Sequence, residues 1–120
     1  MKVLIVDDEV DLANLLRINL EVEGFECALA KDGKEGIEKA EAFQPDVILL
    51  DIRMPVIDGY GTLRKIKENQ NTSKIPVIMC TTVKGQENIG KAYDLGASEY
   101  VIKPFDSSEV IGKIRKVLNG

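Results

Sequence analysis

The chain contains no histidine. That absence removes imidazole catalysis and histidine metal ligation. No apolar stretch approaches the ~20 residues that a membrane span needs. The first apolar run, Val3–Val6, is too short for the core of a signal peptide and leads straight into Asp7 and Asp8. A cytoplasmic protein with no membrane contact is expected. Excess positive charge is also missing. Sixteen Lys and Arg stand against twenty Asp and Glu, a net charge of −4, which gives no reason to expect nucleic acid as a partner of this domain. Cysteine is limited to Cys27 and Cys80, both in predicted strands. In the sheet order derived below those strands lie three spacings apart, about 14 Å, beyond the reach of a disulfide. No linker, repeat or low-complexity tract divides the 120 residues. A single globular domain, residues 1–120, is expected.

Two kinds of segment alternate along the chain. Apolar runs rich in β-branched residues occur at Val3–Val6, Glu26–Ala30, Val47–Leu50, Val77–Cys80 and Tyr100–Ile102. Between them the apolar residues recur at helical spacing. Asp11 to Glu23 turns Leu12, Leu15, Leu16 and Asn19 to one face, with Gly24 as its stop. Lys34 to Ala42 aligns Ile37, Ala40 and Glu41. Tyr60 to Glu68 turns Leu63 and Ile66 inward. Gln86 to Leu95 does the same with Ile89, Ala92 and Tyr93, and Gly96 ends it. The last helix opens on Asp106-Ser107-Ser108-Glu109, a capping box, and buries Val110, Ile111, Ile114 and Leu118. Five strand–helix repeats predict an α/β fold with one doubly wound, five-stranded parallel sheet and helices on both faces. The expected strand order is the flavodoxin-like 2-1-3-4-5.

In such a sheet, ligands bind at the carboxyl ends of the strands. Asp7 and Asp8 follow strand 1, Asp51 follows strand 3, Thr81 and Thr82 follow strand 4, and Lys103-Pro104 follows strand 5. Each signal alone has an ordinary explanation: a helix cap for Asp8, a turn for Lys-Pro, nothing for a strand-end threonine. Together they place three carboxylates, a hydroxyl and an ammonium on one rim. Carboxylates about 5 Å apart repel by roughly 3 kcal/mol at an effective dielectric of 20, and Mg²⁺ relieves this with few protein ligands. A metal, an ammonium and a hydroxyl around a free carboxylate describe a phosphoryl-transfer site with Asp51 as nucleophile.

The chain resembles the receiver domains of bacterial two-component response regulators, including the chemotaxis regulators, over its whole length. The motifs are Leu4-Ile5-Val6-Asp7-Asp8, Leu50-Asp51-Ile52-Arg53-Met54-Pro55, Asp58-Gly59, Pro76-Val77-Ile78-Met79-Cys80-Thr81, Gly96-Ala97 and Tyr100-Val101-Ile102-Lys103-Pro104-Phe105. The resemblance implies a signalling switch that accepts a phosphoryl group on Asp51 from the phosphohistidine of a sensor histidine kinase or phosphotransfer protein. It implies Mg²⁺ held by Asp8, Asp51 and the Arg53 carbonyl, with Asp7 acting largely through water. Lys103 bonds a phosphoryl oxygen, and its bond to Pro104 is expected to be cis. Thr81 moves to the phosphoryl group and Tyr100 turns inward, altering the surface of helix 4, strand 5 and helix 5. The expected partners are a downstream effector or fused output domain, or a second copy docked through that same surface. No enzyme is implied beyond the chain's own phosphorylation and slow dephosphorylation. Arg53 and Val83 occupy the family's two positions that tune hydrolysis. Val83 cannot orient water, so a long-lived aspartyl phosphate is expected. Cys80 stands where Leu is frequent, and Thr82 where Ala is frequent, which narrows access to Asp51.

Three other readings compete. A dehalogenase-type phosphatase shares the nucleophile and Mg²⁺, but needs an acid two residues after it, where Arg53 stands. A flavodoxin-like carrier needs a phosphate loop after strand 1, where Asp7 and Asp8 repel phosphate. A plain interaction module leaves the acidic cluster unexplained. Lys91, Lys113 and Lys116 read as solvated helix charge.

Overall fold

The computed structural model describes residues 1–119. Its elements are β1 (Lys2–Val6), α1 (Val10–Val22), β2 (Glu26–Ala30), α2 (Gly33–Phe43), β3 (Val47–Leu50), α3 (Gly59–Glu68), β4 (Val77–Thr81), α4 (Gln86–Asp94), β5 (Glu99–Ile102) and α5 (Ser107–Asn119). All strand pairings are parallel, in the order β2-β1-β3-β4-β5. This is the doubly wound order expected from the sequence. Val6 pairs with Leu50, and Thr81 with Ile102. Backbone bonds then carry the sheet one residue past the strand ends, from Asp7 N to Ala30 O at 3.0 Å, Asp51 N to Val6 O at 3.0 Å and Lys103 N to Thr81 O at 2.8 Å. The residues that follow the strands therefore start level with one another.

Strand alternation feeds two cores. Leu4, Val6, Ile48, Leu50, Val77 and Met79 face α2, α3 and α4, where Ala40, Leu63, Ile66 and Ala92 meet them. Val3, Ile5, Val47, Leu49, Ile78 and Val101 face α1 and α5, where Leu16, Leu20, Val110 and Ile114 meet them. Gly24 and Gly96 sit at φ +95° and +107° just past α1 and α4. Beyond each, an N–H returns six residues' worth of chain to the helix, Phe25 N to Leu20 O at 3.1 Å and Ala97 N to Ala92 O at 3.0 Å, which closes the helix end in the Schellman manner. Asp106 caps α5, accepting the Glu109 N–H at 3.1 Å. Cys27 and Cys80 are free thiols.

Three helix faces differ from the periodic reading. On α1 the buried residues are Ala13, Leu16 and Leu20, whereas Leu12 and Leu15 are 49% and 57% exposed. Leucines at every third and fourth position are too many for the arc that contacts the sheet, and hydropathy alone cannot say which stripe wins. Asn19 is half-buried and donates to Ser107 Oγ at 2.7 Å, joining α1 to the start of α5. Glu41 is exposed and accepts from the Asn69 and Asn71 amides. Tyr93 is 44% exposed, so α4 buries only Ala92 fully. The adjacent leucines on α1 supply a test. Leu16→Ala is expected to cost about 2–4 kcal/mol of unfolding free energy by urea denaturation, and Leu15→Ala within about 0.5 kcal/mol. Equal losses would contradict this orientation of α1.

Candidate functional site

Because β1 and β3 are neighbours that end level, Asp7 and Asp51 emerge side by side. They are 7% and 4% exposed, and Asp8 beside them is exposed. One carboxylate oxygen from each of Asp7, Asp8 and Asp51 lies within 4.8 Å of the others. Asp7 Oδ1 accepts the Glu9 N–H at 2.9 Å, and Asp51 Oδ1 accepts the Arg53 N–H at 3.2 Å. Each of these two carboxylates thus shapes the turn after its own strand with one oxygen. The other oxygen goes to Lys103, whose Nζ donates to Asp7 Oδ2 at 2.7 Å and to Asp51 Oδ2 at 3.2 Å. A third bond from Nζ reaches Glu9 Oε1 at 3.1 Å. The Lys103–Pro104 peptide is cis. Helix capping does not explain Asp8, because Glu9 is the N-cap of α1 and no side chain caps that helix.

The electrostatics follow from this crowding. Burial, opposed by the Lys103 hydrogen bond and charge, raises the pKa of Asp7 above its ordinary 3.8. For Lys103, burial disfavours the ammonium, but the hydrogen bond and charge of Asp7, then Asp51 and Glu9, outweigh it and hold its pKa above 10.5. The ammonium is therefore permanently charged, and too few positive charges face the carboxylates. An all-oxygen donor set with one exposed member suits a hard divalent cation that keeps waters.

The main chain of Asp51 is itself closely packed. At Gly59 a Cβ would lie 2.3 Å from the Asp51 carbonyl oxygen and 2.4 Å from Ile52 Cα. The Gly59 N–H donates to Ile52 O at 2.8 Å. Only glycine permits α3 to begin this close to the main chain of Asp51. On the strand next to β3, Thr81 is fully buried at the end of β4, and its Oγ1 accepts the Val83 N–H at 3.3 Å. No hydrogen bond joins Thr81 to the carboxylates. Tyr100 is half-buried and its hydroxyl donates to Val83 O at 2.6 Å. Burial, with Tyr60 and Asp51 nearby, lifts its pKa to about 12. Tyr60 donates to Asn88 O at 3.1 Å, and the Lys91 ammonium lies 4.2 Å from the centre of its ring. Lys113 and Lys116 both pair with Glu99.

A groove of about 340 Å³ runs from Asp7, Asp51 and Lys103 along α1, past Leu12, Leu15 and Phe105. The exposed leucines of α1 line it, which gives the misassigned stripe a place in the site. Of the residues singled out from the sequence, Asp7, Asp8, Asp51 and Lys103 come together. Arg53 contributes its main chain, Pro104 lines the groove, and Thr81 and Tyr100 meet at Val83. Sequence reasoning missed Glu9, although it follows directly on Asp7-Asp8 at the same strand end. It also missed Tyr60, which follows the Asp58-Gly59 pair.

A sequence profile described as the response regulator receiver domain matches residues 3–115. The chain is 39% identical over 117 residues to the response regulator ArlR of Staphylococcus saprophyticus, covering 98% of this chain and 52% of that protein. It therefore spans about half the length of the curated relatives it matches. Among solved structures, the chemotaxis protein CheY4 of Vibrio cholerae superposes with a TM-score of 0.92 at 30% identity, covering 98% of both chains. The receiver domain of sensor histidine kinase PA1611 of Pseudomonas aeruginosa superposes with a TM-score of 0.90 at 28% identity, covering 99% of this chain and 98% of that one, and has a magnesium ion coordinated in its active-site cleft. A profile match over nearly the whole chain, joined to this sheet order, places the protein plainly: it belongs to the response regulator receiver domains.

Proposed function

We propose that residues 1–120 act as a phosphorylation-dependent receiver in which Asp51 accepts the phosphoryl group of a phosphohistidine on a sensor histidine kinase or phosphotransfer protein. The observation that carries this reading is Asp51 itself, buried, bonded to Lys103 and set within 4.8 Å of two more carboxylates. A carboxylate oxygen of Asp51 attacks phosphorus as the P–N bond breaks, and that bond's electron pair stays on the imidazole nitrogen. The product is an aspartyl phosphate. Water later attacks it, returning the carboxylate and inorganic phosphate. The chain acts only on its own side chain and is not a turnover enzyme. Lys103 donates to one phosphoryl oxygen and the Thr81 hydroxyl to another, exchanging its bond with Val83. Asp8, Asp51 and the Arg53 main chain would hold Mg²⁺, with Asp7 beside it. When bound, Mg²⁺ supplies the charge neutralisation that the carboxylates and a phosphoryl group require.

The release of Val83 by Thr81 frees the segment to which Tyr100 is tied. The α4–β5–α5 surface then shifts between two populations. That surface would face a downstream effector, a fused output domain or a second copy. A kinase-fed switch of this kind works in the cytoplasm. No described helix is long and apolar enough to cross a membrane.

Incubation with acetyl phosphate and MgCl₂, followed by intact-mass measurement, tests the reading. Wild type is expected to gain one phosphoryl group and Asp51→Asn none. An unmodified wild-type chain, or a phosphorylated variant, would refute it.

Stability should respond to the metal in a pH-dependent way. Asp7 binds its proton more tightly folded than unfolded. Its contribution opposes folding as pH rises above 3.8 and does so fully once pH passes the raised folded value. Mg²⁺ bound to the ionised cluster removes that opposition. MgCl₂ is expected to raise the melting temperature by a few degrees at pH 7, since roughly 1 kcal/mol shifts a domain of this size by about 4 °C, and by much less at pH 4. An equal or absent shift at pH 7 counts against the metal assignment.

Val83 is half-buried, packs on the core beside Tyr100 and offers no side-chain group to water. A slow loss of phosphate is expected, accelerated by Val83→Glu. Rapid loss that the substitution leaves unchanged would contradict this.

A further inference from the structure

Lys103 has no donor to spare. An ammonium carries three N–H bonds, and the acceptors are Asp7 at 2.7 Å, Glu9 at 3.1 Å and Asp51 at 3.2 Å. The three are not held alike. The side chains of Asp7 and Asp51 are 9% and 4% exposed, and each has its second oxygen on a backbone N–H. The Glu9 side chain is 52% exposed, and among the described residues its carboxylate has no other partner. A phosphoryl group on Asp51 brings further acceptor oxygens to the same ammonium, so one existing bond has to break. Glu9 is the acceptor for which water is at hand as a replacement.

Resting on the phosphorylation reading above and deepening it, we infer that Glu9 is a displaceable place-holder on Lys103. It occupies the third N–H of the ammonium until a phosphoryl oxygen takes that position, and so it sets how readily an anionic phosphodonor is captured. Glu9 is a positioning residue that acts through Lys103. It opposes capture twice, by filling the donor and by adding like charge beside the incoming anion. After transfer its carboxylate stands free in solvent.

The experiment follows phosphorylation by acetyl phosphate with MgCl₂ at limiting donor, using intact mass. Glu9→Gln is expected to react about three- to fivefold faster than wild type, the kinetic equivalent of one exposed ion pair. Glu9→Asp keeps the charge but draws it back by one methylene, and is expected to react faster than wild type as well. Asp11→Asn removes an exposed charge nearby that does not touch Lys103, and is expected to leave the rate unchanged. In wild type carrying ¹³C-labelled glutamate, the Glu9 carboxylate resonance is expected to move to the position of a free glutamate on phosphorylation. A rate gain shared equally by Asp11→Asn, a wild-type rate in Glu9→Asp, or an unmoved Glu9 resonance would each overturn the place-holder role. A wild-type chain that takes up no phosphoryl group would instead refute the phosphorylation reading.

Discussion

Everything at the working edge of this molecule depends on one ammonium among an excess of carboxylates. Asp7 and Asp51 are buried beside each other because β1 and β3 pair in register. Like charges about 5 Å apart cost roughly 3 kcal/mol at an effective dielectric of 20. Lys103 offsets part of that by reaching from the end of β5 past β4 to both. The bridge leaves the site short of positive charge. A site in that condition favours a further cation.

The start of α4 is held by hydroxyls. Tyr100 bonds the Val83 carbonyl and Tyr60 bonds the Asn88 carbonyl. Both acceptors lie at or just before the first turns of α4. That helix buries only Ala92 fully and begins at Gly85 with no side-chain cap. Its position is therefore set by a few polar contacts and not by a broad apolar face. Small energies are enough to shift such an element, since a net hydrogen bond is worth about 1 kcal/mol. The strand-end threonine that bonds Val83 lies in the same short segment.

The fold was legible because strand and helix signals did not compete. Val47–Leu50 is buried throughout, and no helix-spaced pattern overlaps it. The strand ends then named Asp7, Asp8, Asp51 and Lys103 without any knowledge of three-dimensional contacts. The orientation of α1 was less legible. Its apolar residues exceed the arc it can bury, so Leu12 and Leu15 read as core when they line a groove beside the acids. Glu9 was illegible for a different reason. An acid after two acids looks like more of the same surface charge, and only the reach of Lys103 from β5 distinguishes it. Tyr60 and Tyr93 show the same limit from the apolar side, since spacing does not reveal which ring bonds a carbonyl and which meets solvent.

Gly59 ties the start of α3 directly to the backbone that carries Asp51. The first residue of α3 rests on the main chain of Asp51 and Ile52, with no room for even a methyl group between them. Backbone packed that closely leaves the main chain of Asp51 no room to move towards α3. The fixed seat of Asp51 is thus imposed by an atom that Gly59 does not have.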